Sequence, residues 1–452
     1  MNERMLNQWE RVAVLFGVFA LTVGLAGTAR ADETKAPGET DRAKTESVTI
    51  QHMVPHDSRS INQFETPKEE GPAYDGFMLN WGGAFTQQFQ ALHHSNTATP
   101  VIVAGVNTNQ LMAVGAGFDN AMANMFLNAQ LAKGIRVEMT TYLSTRHHNE
   151  SWVKDGFLLI DGSPWDNKAL DGLMKYLTLR VGHFEINYGD AHFRAGDAGN
   201  TMQNPLVGNL IMNAFTTEIG AELYARTPGG WMAMVGATGG EIRGTVENPA
   251  RRAPTYLAKL GYDHQVNPET RVRLTGSLYS TAKSANNTLY SGSRAGSPYF
   301  DVLLNTTGSI TSSAWTGDVQ PGLSSKITAM VVNPFFKYRG FEVFGNVEQA
   351  KGHTAVETAD RTWSQTAGEG LYRFAHDQFY VVGRYDTVKG RLAGMTNDVT
   401  VDRVQGGGGW FLAPTVMMKL EYVKQQYKDY PAANILHGGV FEGTMITGVV
   451  SF

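Results

Sequence analysis

The 452-residue sequence has no cysteine, few charged residues and, beyond its first 30 positions, no long apolar run. Zero cysteine excludes disulfides, thiolate metal sites, thiol nucleophiles and covalent haem attachment through a C-x-x-C-H motif. The lack of long apolar runs excludes a polytopic helical membrane protein. Charged residues make up only 18% and the formal net charge is -4, so nothing points to nucleic acid as a partner. Proline is sparse (16) while glycine reaches 50 and aromatics 10%, a balance that fits a β-rich chain better than a helical one. Ser, His and Asp never fall at a recognisable catalytic spacing, so no nucleophile, enzymatic activity or cofactor is expected. The length fits two or three soluble domains or one large barrel.

The N-terminus carries Arg4 and Arg11, an apolar run over residues 12–27, and then Ala29-Arg30-Ala31. Residues 1–31 read as a secretory signal peptide cut before Asp32. The run is shorter than the roughly 20 residues that a spanning anchor wants. Residues 32–76 are polar, charged and proline-containing without a sustained period, and read as a flexible periplasmic leader.

From residue 77 onward, segments of about ten residues alternate apolar with polar or small side chains. Val272, Leu274 and Leu278 alternate with Arg271, Arg273, Thr275 and Ser277; Phe341, Val343 and Val347 alternate with Glu342, Asn346 and Glu348. A two-residue period places the two sets on opposite strand faces. Sixteen such segments can be drawn, many longer than the five or six residues usual in soluble sheets and close to the 9–11 that cross hydrocarbon when tilted. Aromatics lie near their ends (Trp81, Trp152, Tyr176, Trp231, Tyr256, Trp363, Trp410, Tyr422) as an interfacial girdle requires. Even-numbered connections are mostly tight, as at Lys133-Gly134 and Arg339-Gly340; odd-numbered ones are mostly long. The expected fold is all-β: a transmembrane antiparallel β-barrel of about 16 strands over 77–452, with short periplasmic turns, long outer loops and lipid against its outer face. A soluble sandwich is the minor alternative. A segment at residues 299–305 is assigned to the large fifth loop because a further strand there would break the parity.

The final strand alternates to Phe452, and a terminal aromatic on such a strand resembles bacterial outer-membrane barrels, whose assembly machinery reads it. A barrel of this strand number leaves an aqueous channel. Its third outer loop, residues 187–213, is the candidate constriction, with Asp190, His192, Arg194 and Asp197 among many Gly and Asn residues. On the wall, Arg180 leads into that loop, and Arg271 and Arg273 follow two apart on one face. The strand YLTLRVGHF at 176–184, the Asn187-Tyr188-Gly189 bend and the first strand, GFMLNWGGAF, resemble the phosphate-selective (O/P-type) porin family, loosely over 77–452. The resemblance implies an outer-membrane barrel, commonly a homotrimer, passing anions or small acids; the family's arginine ladder and lysine cluster are not matched residue by residue. Strand phase alone sends Arg136, Arg146, Arg180, Lys259, Arg271, Arg273, Arg373, Arg384, Arg403 and Lys419 inward, together with Glu138, Asp263, Glu342, Glu348, Glu369, Asp386 and Glu421, with cations modestly in excess. Such a wall fits passive diffusion of small hydrophilic solutes with a slight anion preference; cross-strand pairing that merely solvates the wall is the bland alternative.

His93-His94 and His147-His148 read as solvated outer-loop residues rather than metal ligands, and Gly406–409 as a bend or an aromatic packing site rather than a phosphate loop. An outer-membrane enzyme and a sleeve for an electron-transfer cytochrome are the other functional classes considered.

Overall fold

A computed structural model describes residues 55–65, 68, 74, 76–119, 121–145, 150–196, 200–242, 246–291, 299–308 and 315–452. The signal segment and most of the leader, together with Arg146, His147, His148 and Asp197, lie outside the described residues.

Sixteen wall strands follow in chain order. They are β1 (Met78–Ser95), β2 (Met122–Ala132), β3 (Ile135–Ser144), β4 (Glu150–Ile160), β5 (Leu177–Glu185), β6 (Thr217–Arg226), β7 (Trp231–Thr238) and β8 (Thr255–Asn267). They continue with β9 (Thr270–Thr281), β10 (Lys326–Tyr338), β11 (Phe341–His353), β12 (Arg361–Phe374), β13 (Phe379–Arg391), β14 (Asp398–Ala413), β15 (Val416–Lys428) and β16 (Val440–Ser451). Each pairs antiparallel with its sequence neighbours. β1 also pairs with β16, from Ala84 opposite Ser451 to Ser95 opposite Val440, so the sheet closes and has no free edge. Gly117–Phe118 adds a short rung to β1 ahead of β2.

The alternation in the sequence becomes an inverted burial pattern. Leu274 and Leu278 on β9 and Val347 on β11 are each 55% exposed on the outer face, while Arg273, Thr275, Glu342 and Glu348 are buried on the inner one. A water-soluble globule does the reverse, and an apolar outer belt of this extent calls for hydrocarbon against it. The largest apolar cluster lies inside the cylinder, where loop residues such as Tyr188, Leu289 and Leu323 meet inward wall residues such as Ile327 and Val401.

Short connections gather at one end of the barrel. At Lys133-Gly134 the glycine sits at φ +66°, and a Cβ there would lie 2.3 Å from the backbone of Gly162 in the next turn. The β4–β5 connection at this end is longer and holds a helix, α1 (Lys168–Met174), capped by Asn167, whose side chain accepts from the Ala169 and Leu170 amides. Leu173 is therefore helical, and the strand begins only at Leu177; the Asn cap wins locally because the chain must only bridge two neighbouring strands.

The girdle holds for Trp81, Tyr176, Trp231, Tyr256 and Tyr422, all exposed outward, and Trp410 stacks on Phe379 at 15°. Trp363 departs from it: fully buried, it faces the lumen, and a Cβ at Gly390 would lie 2.2 Å from its ring. Trp152 likewise packs on the buried Tyr142 and Phe215. An aromatic fits either face of a strand, and only register decides which. His93 and His94 lie within β1 rather than in a loop, with His94 Nε2 2.8 Å from the Met112 carbonyl. Gly409 is an aromatic packing site, since a Cβ there would meet the Tyr380 ring at 2.2 Å. The 299–305 segment pairs in a two-residue ladder, Tyr299–Phe300 with Trp315–Thr316, and in a single bridge from Asn305 to Leu111, and adds no strand to the wall.

Candidate pore constriction and the segment that fills it

The loop after β5 turns into the barrel because the wall offers partners to its backbone. The Asn187 amide donates to Glu222 Oε1 at 3.1 Å, the Gly189 amide to Ser277 Oγ at 3.1 Å, and the Asp190 amide to Asn333 Oδ1 at 2.8 Å. Across the lumen, the Val207 amide donates to Glu421 Oε2 at 2.6 Å, and Lys419 Nζ donates to the Thr201 and Asn204 carbonyls at 2.9 Å each. The loop therefore spans from the β6–β10 side to the β13–β15 side. Tyr380, admitted by Gly409, donates to the Pro205 carbonyl at 3.1 Å.

Asp190 is fully buried. Its carboxylate accepts a two-pronged bond from Arg273 (Nε 2.8 Å, Nη2 2.8 Å), lies 2.8 Å from Lys259 Nζ, and accepts from Thr275 Oγ1 at 3.0 Å. Arg271 forks onto Asp263 at 2.8 and 2.7 Å, and Arg273 Nη1 reaches the same carboxylate at 2.9 Å. Arg180 stands apart: Nη2 donates to Glu222 Oε2 at 2.5 Å and its guanidinium lies 4.2 Å from the Phe184 ring centre. Arg194 pairs with Glu369, which also holds Arg384 at 2.6 Å. His192 is buried with Nδ1 2.6 Å from the Gly189 carbonyl; burial, reinforced by Lys259, pushes its pKa down to about 3, so it is neutral. The structure thus brings Asp190, Arg271 and Arg273 into one cluster with Lys259. It places Arg180 and Arg194 in separate ion pairs.

These charges are paired, and Asp190, Lys259, Arg273, Arg194 and Glu369 are dry, unlike the water-facing side chains of an open eyelet. The reason is a second segment in the lumen. Residues 58–60 form a single 3-10 turn capped by Asp57, after which Ile61 and Phe64 are buried. Arg373 holds the Ser58 carbonyl and, at 3.1 Å, the Ile61 carbonyl. Asn62 Nδ2 donates to Glu342 Oε2 at 2.7 Å. Glu65 inserts its carboxylate between Lys259 Nζ (2.6 Å), Asn187 Nδ2 (2.9 Å) and Arg273 Nη2 (2.5 Å). Lys68 anchors the segment at the turn end, donating to the Leu177 carbonyl at 2.6 Å. Within the leader expected to be flexible, residues 57–65 thus sit in the barrel, held by Arg373, Glu342, Lys259 and Arg273.

The long fifth loop also enters. Tyr290 Oη donates to Glu348 Oε1 at 2.5 Å, Tyr299 Oη to Glu421 Oε1 at 2.6 Å, and Arg403 Nη2 to the Gly317 carbonyl at 2.7 Å. Two unfilled spaces remain beside the leader. One of about 630 Å³ at the turn end is lined by Lys68, Arg226, Arg271 and Glu65. The other, of about 140 Å³ and deeper, is lined by Arg180, Glu138, Tyr224 and again Glu65 and Arg226. Among the described residues, no group of three or more His, Asp or Glu side chains is arranged to hold a metal ion.

The Glu65 seat has a definite acid response. Burial pushes the Glu65 carboxyl up, but Arg273 and Lys259 outweigh burial and hold it well below the usual carboxylate range. Asp190, His192 and Arg226 also face it. A carboxyl depressed on docking contributes stability above its free value near 4.5 and loses it as pH falls through the lower docked value. Bilayer recordings should therefore show the barrel closed at about pH 5 and opening only as the pH falls well below the free carboxyl value.

Lys259, Phe64, Glu65 and Asn187 are the members of this cluster missing from the sequence-derived candidates. Lys259 was legible as an inward residue and Asn187 as the first residue of the third loop; Phe64 and Glu65 had no local signal beyond two apolar positions, Ile61 and Phe64, three apart in a polar stretch.

No family model matches the chain, and no curated protein matches it. Among solved structures, the anion-selective porin from Comamonas acidovorans superimposes with a TM-score of 0.51 at 10% identity, covering 83% of this chain and 100% of that one. In-vitro folded OmpT, an outer membrane protein of Vibrio cholerae, gives a TM-score of 0.49 at 9% identity over 84% of this chain and 99% of that one. At such identities the first likeness concerns the fold: the chain has the architecture of an outer-membrane β-barrel.

Proposed function

We propose that the protein is an outer-membrane channel for small hydrophilic solutes, closed in this conformation by its own N-terminal segment. The observation that carries this reading is a sixteen-strand wall, apolar outside and charged inside, whose lumen is filled by tethered segments rather than by the wall itself. A wall of that strand number encloses a water-filled bore once such segments withdraw. Residues 187–213 act as the constriction, with Asp190 and Arg194 as its charged members and Arg271 and Arg273 on the facing wall. Arg180, Arg226 and Lys68 on the residual spaces give the path a slight anion preference. Export on the residue 1–31 signal, insertion through the assembly machinery by way of Phe452, and a homotrimer complete the reading.

Planar-bilayer recording tests it. The full-length chain should give stepwise conductance with long closed periods, and a reversal potential in a salt gradient displaced toward the anion equilibrium potential. Bilayers that stay silent at high protein load, with both the full chain and one lacking residues 55–68, would remove the channel reading altogether.

A further inference from the structure

Phe64 and Glu65 occupy two pockets that are adjacent but chemically unlike. The Phe64 ring, 1% exposed, lies among Phe193, Phe335 and Phe344, with ring centres 6.2, 5.5 and 6.0 Å away. The Arg273 guanidinium covers it at 4.5 Å and that of Arg271 at 5.6 Å. The Glu65 carboxylate fills the neighbouring polar nest of Lys259, Asn187 and Arg273. Arg273 thus touches both parts, its face on the ring and its Nη2 on the carboxylate.

Charge balance makes this nest a site in its own right. With Glu65 withdrawn, three cations (Lys259, Arg271, Arg273) face two carboxylates (Asp190, Asp263). A net positive charge would then face the vacated seat and attract an anion in place of the one that left. The ring cage decides which anion: an aromatic face beneath two guanidinium groups gains from cation–π contact, and an aliphatic chain does not. The space of about 630 Å³ at the turn end is lined by Glu65, Arg271 and Arg273 and so reaches this seat.

We propose that this nest is a binding site for small aryl carboxylates, and that Phe64-Glu65 occupies it as a tethered surrogate of that solute. The assignment rests on the channel reading and deepens it by naming a solute class. The ring and carboxylate of the ligand are bridged by the one Arg273 guanidinium, as the Phe64 ring and the Glu65 carboxylate are here. The solute and the leader compete, so the solute that uses the path also releases its own stopper.

Calorimetric titration of the detergent-solubilised full chain with benzoate tests this, using the Phe64→Ala/Glu65→Gln double variant to empty the seat. Benzoate should bind the variant at least tenfold more tightly than the unaltered chain. Acetate and benzyl alcohol, which lack the ring or the charge, should each bind the variant at least tenfold more weakly than benzoate does. Equal affinity for variant and parent, or acetate binding as well as benzoate, overturns the site. If the double variant does not fold, as judged by heat-modifiable gel mobility, the Ser60→Cys chain supplies the readout. In this otherwise cysteine-free protein, benzoate should speed maleimide labelling of the buried position at least threefold and acetate should not; equal rates overturn the proposal. Bilayer recording of the same proteins separates the two claims. A conducting channel without benzoate binding sinks the site alone, and benzoate binding without conductance sinks the channel reading alone.

Discussion

Deleting residues 55–68 should raise the mean conductance of the reconstituted barrel by about tenfold or more, because a wall of this strand number is wide enough for water once its filling is removed. The segment is no part of the wall: it contributes no rung to the sixteen-strand ladder, and its removal breaks no strand pairing. Its hold on the lumen is made of few, strong contacts. Ordering roughly ten residues costs about 10–20 kcal/mol. Burying Ile61 and Phe64 returns about 4–6 kcal/mol. Seven hydrogen bonds with a charged partner, to Glu65, Glu342, Arg271 and Arg373, return about 10–20 kcal/mol. The two sides nearly cancel, which is what a releasable stopper requires and a structural core does not. The two residual spaces both touch Glu65, so deletion joins them into one. The measurement is single-channel recording of parent and deletion at equal voltage, with heat-modifiable mobility confirming the fold. Unchanged conductance in a folded deletion variant would show that the third and fifth loops, rather than the leader, close the path.

The wall was legible in the sequence because its information is local. Leu274 outside and Arg273 inside follow from a period of two, and turns such as Arg339-Gly340 mark where the chain reverses. The closing contact of β1 with β16 follows from the strand count, since an open sheet with an apolar face and two bare edges has nowhere to rest. The filling was not legible, because its information lies in its partners. Nothing within residues 55–65 distinguishes Glu65 from the solvated acids around it; what fixes Glu65 is Lys259, almost 200 residues later, and Arg273 beyond it. The third loop was recognised from its glycines and charges, yet its pairings were not. Arg194 belongs to Glu369 on β12, three strands round the wall from Arg273 on β9. The fifth loop was seen only as long. Its tyrosines, Tyr290 and Tyr299, carry hydroxyls to Glu348 and Glu421, and a polar tip on an apolar body suits an aromatic to that depth.

Replacing Arg273 with alanine is expected to cost about 3–5 kcal/mol, the usual loss when one member of a buried ion pair is removed and its partner is left behind. Here the partners are several. Asp190 loses its two-pronged donor, Glu65 loses its shortest contact, and Asp263 keeps only Arg271. Lys259 remains between Asp190 and Glu65, but one ammonium cannot neutralise two carboxylates. Both the leader and the third loop are therefore expected to loosen together, a coupling that no wall-only model of the barrel contains. Lysine at the same position should recover little, because a point charge cannot fork onto Asp190 while also covering the Phe64 ring. Arg339→Ala is the matched control: its pair with Glu269 is exposed on both sides, and its loss should leave the stability almost unchanged. Two readouts check the prediction. The denaturant midpoint of the detergent-solubilised barrel should fall for Arg273→Ala and Arg273→Lys but not for Arg339→Ala. In a Ser60→Cys background, maleimide labelling should accelerate in the same order. A destabilised barrel whose position 60 stays protected would mean that Arg273 supports the third loop alone and that the leader is held by Arg373 and Lys259.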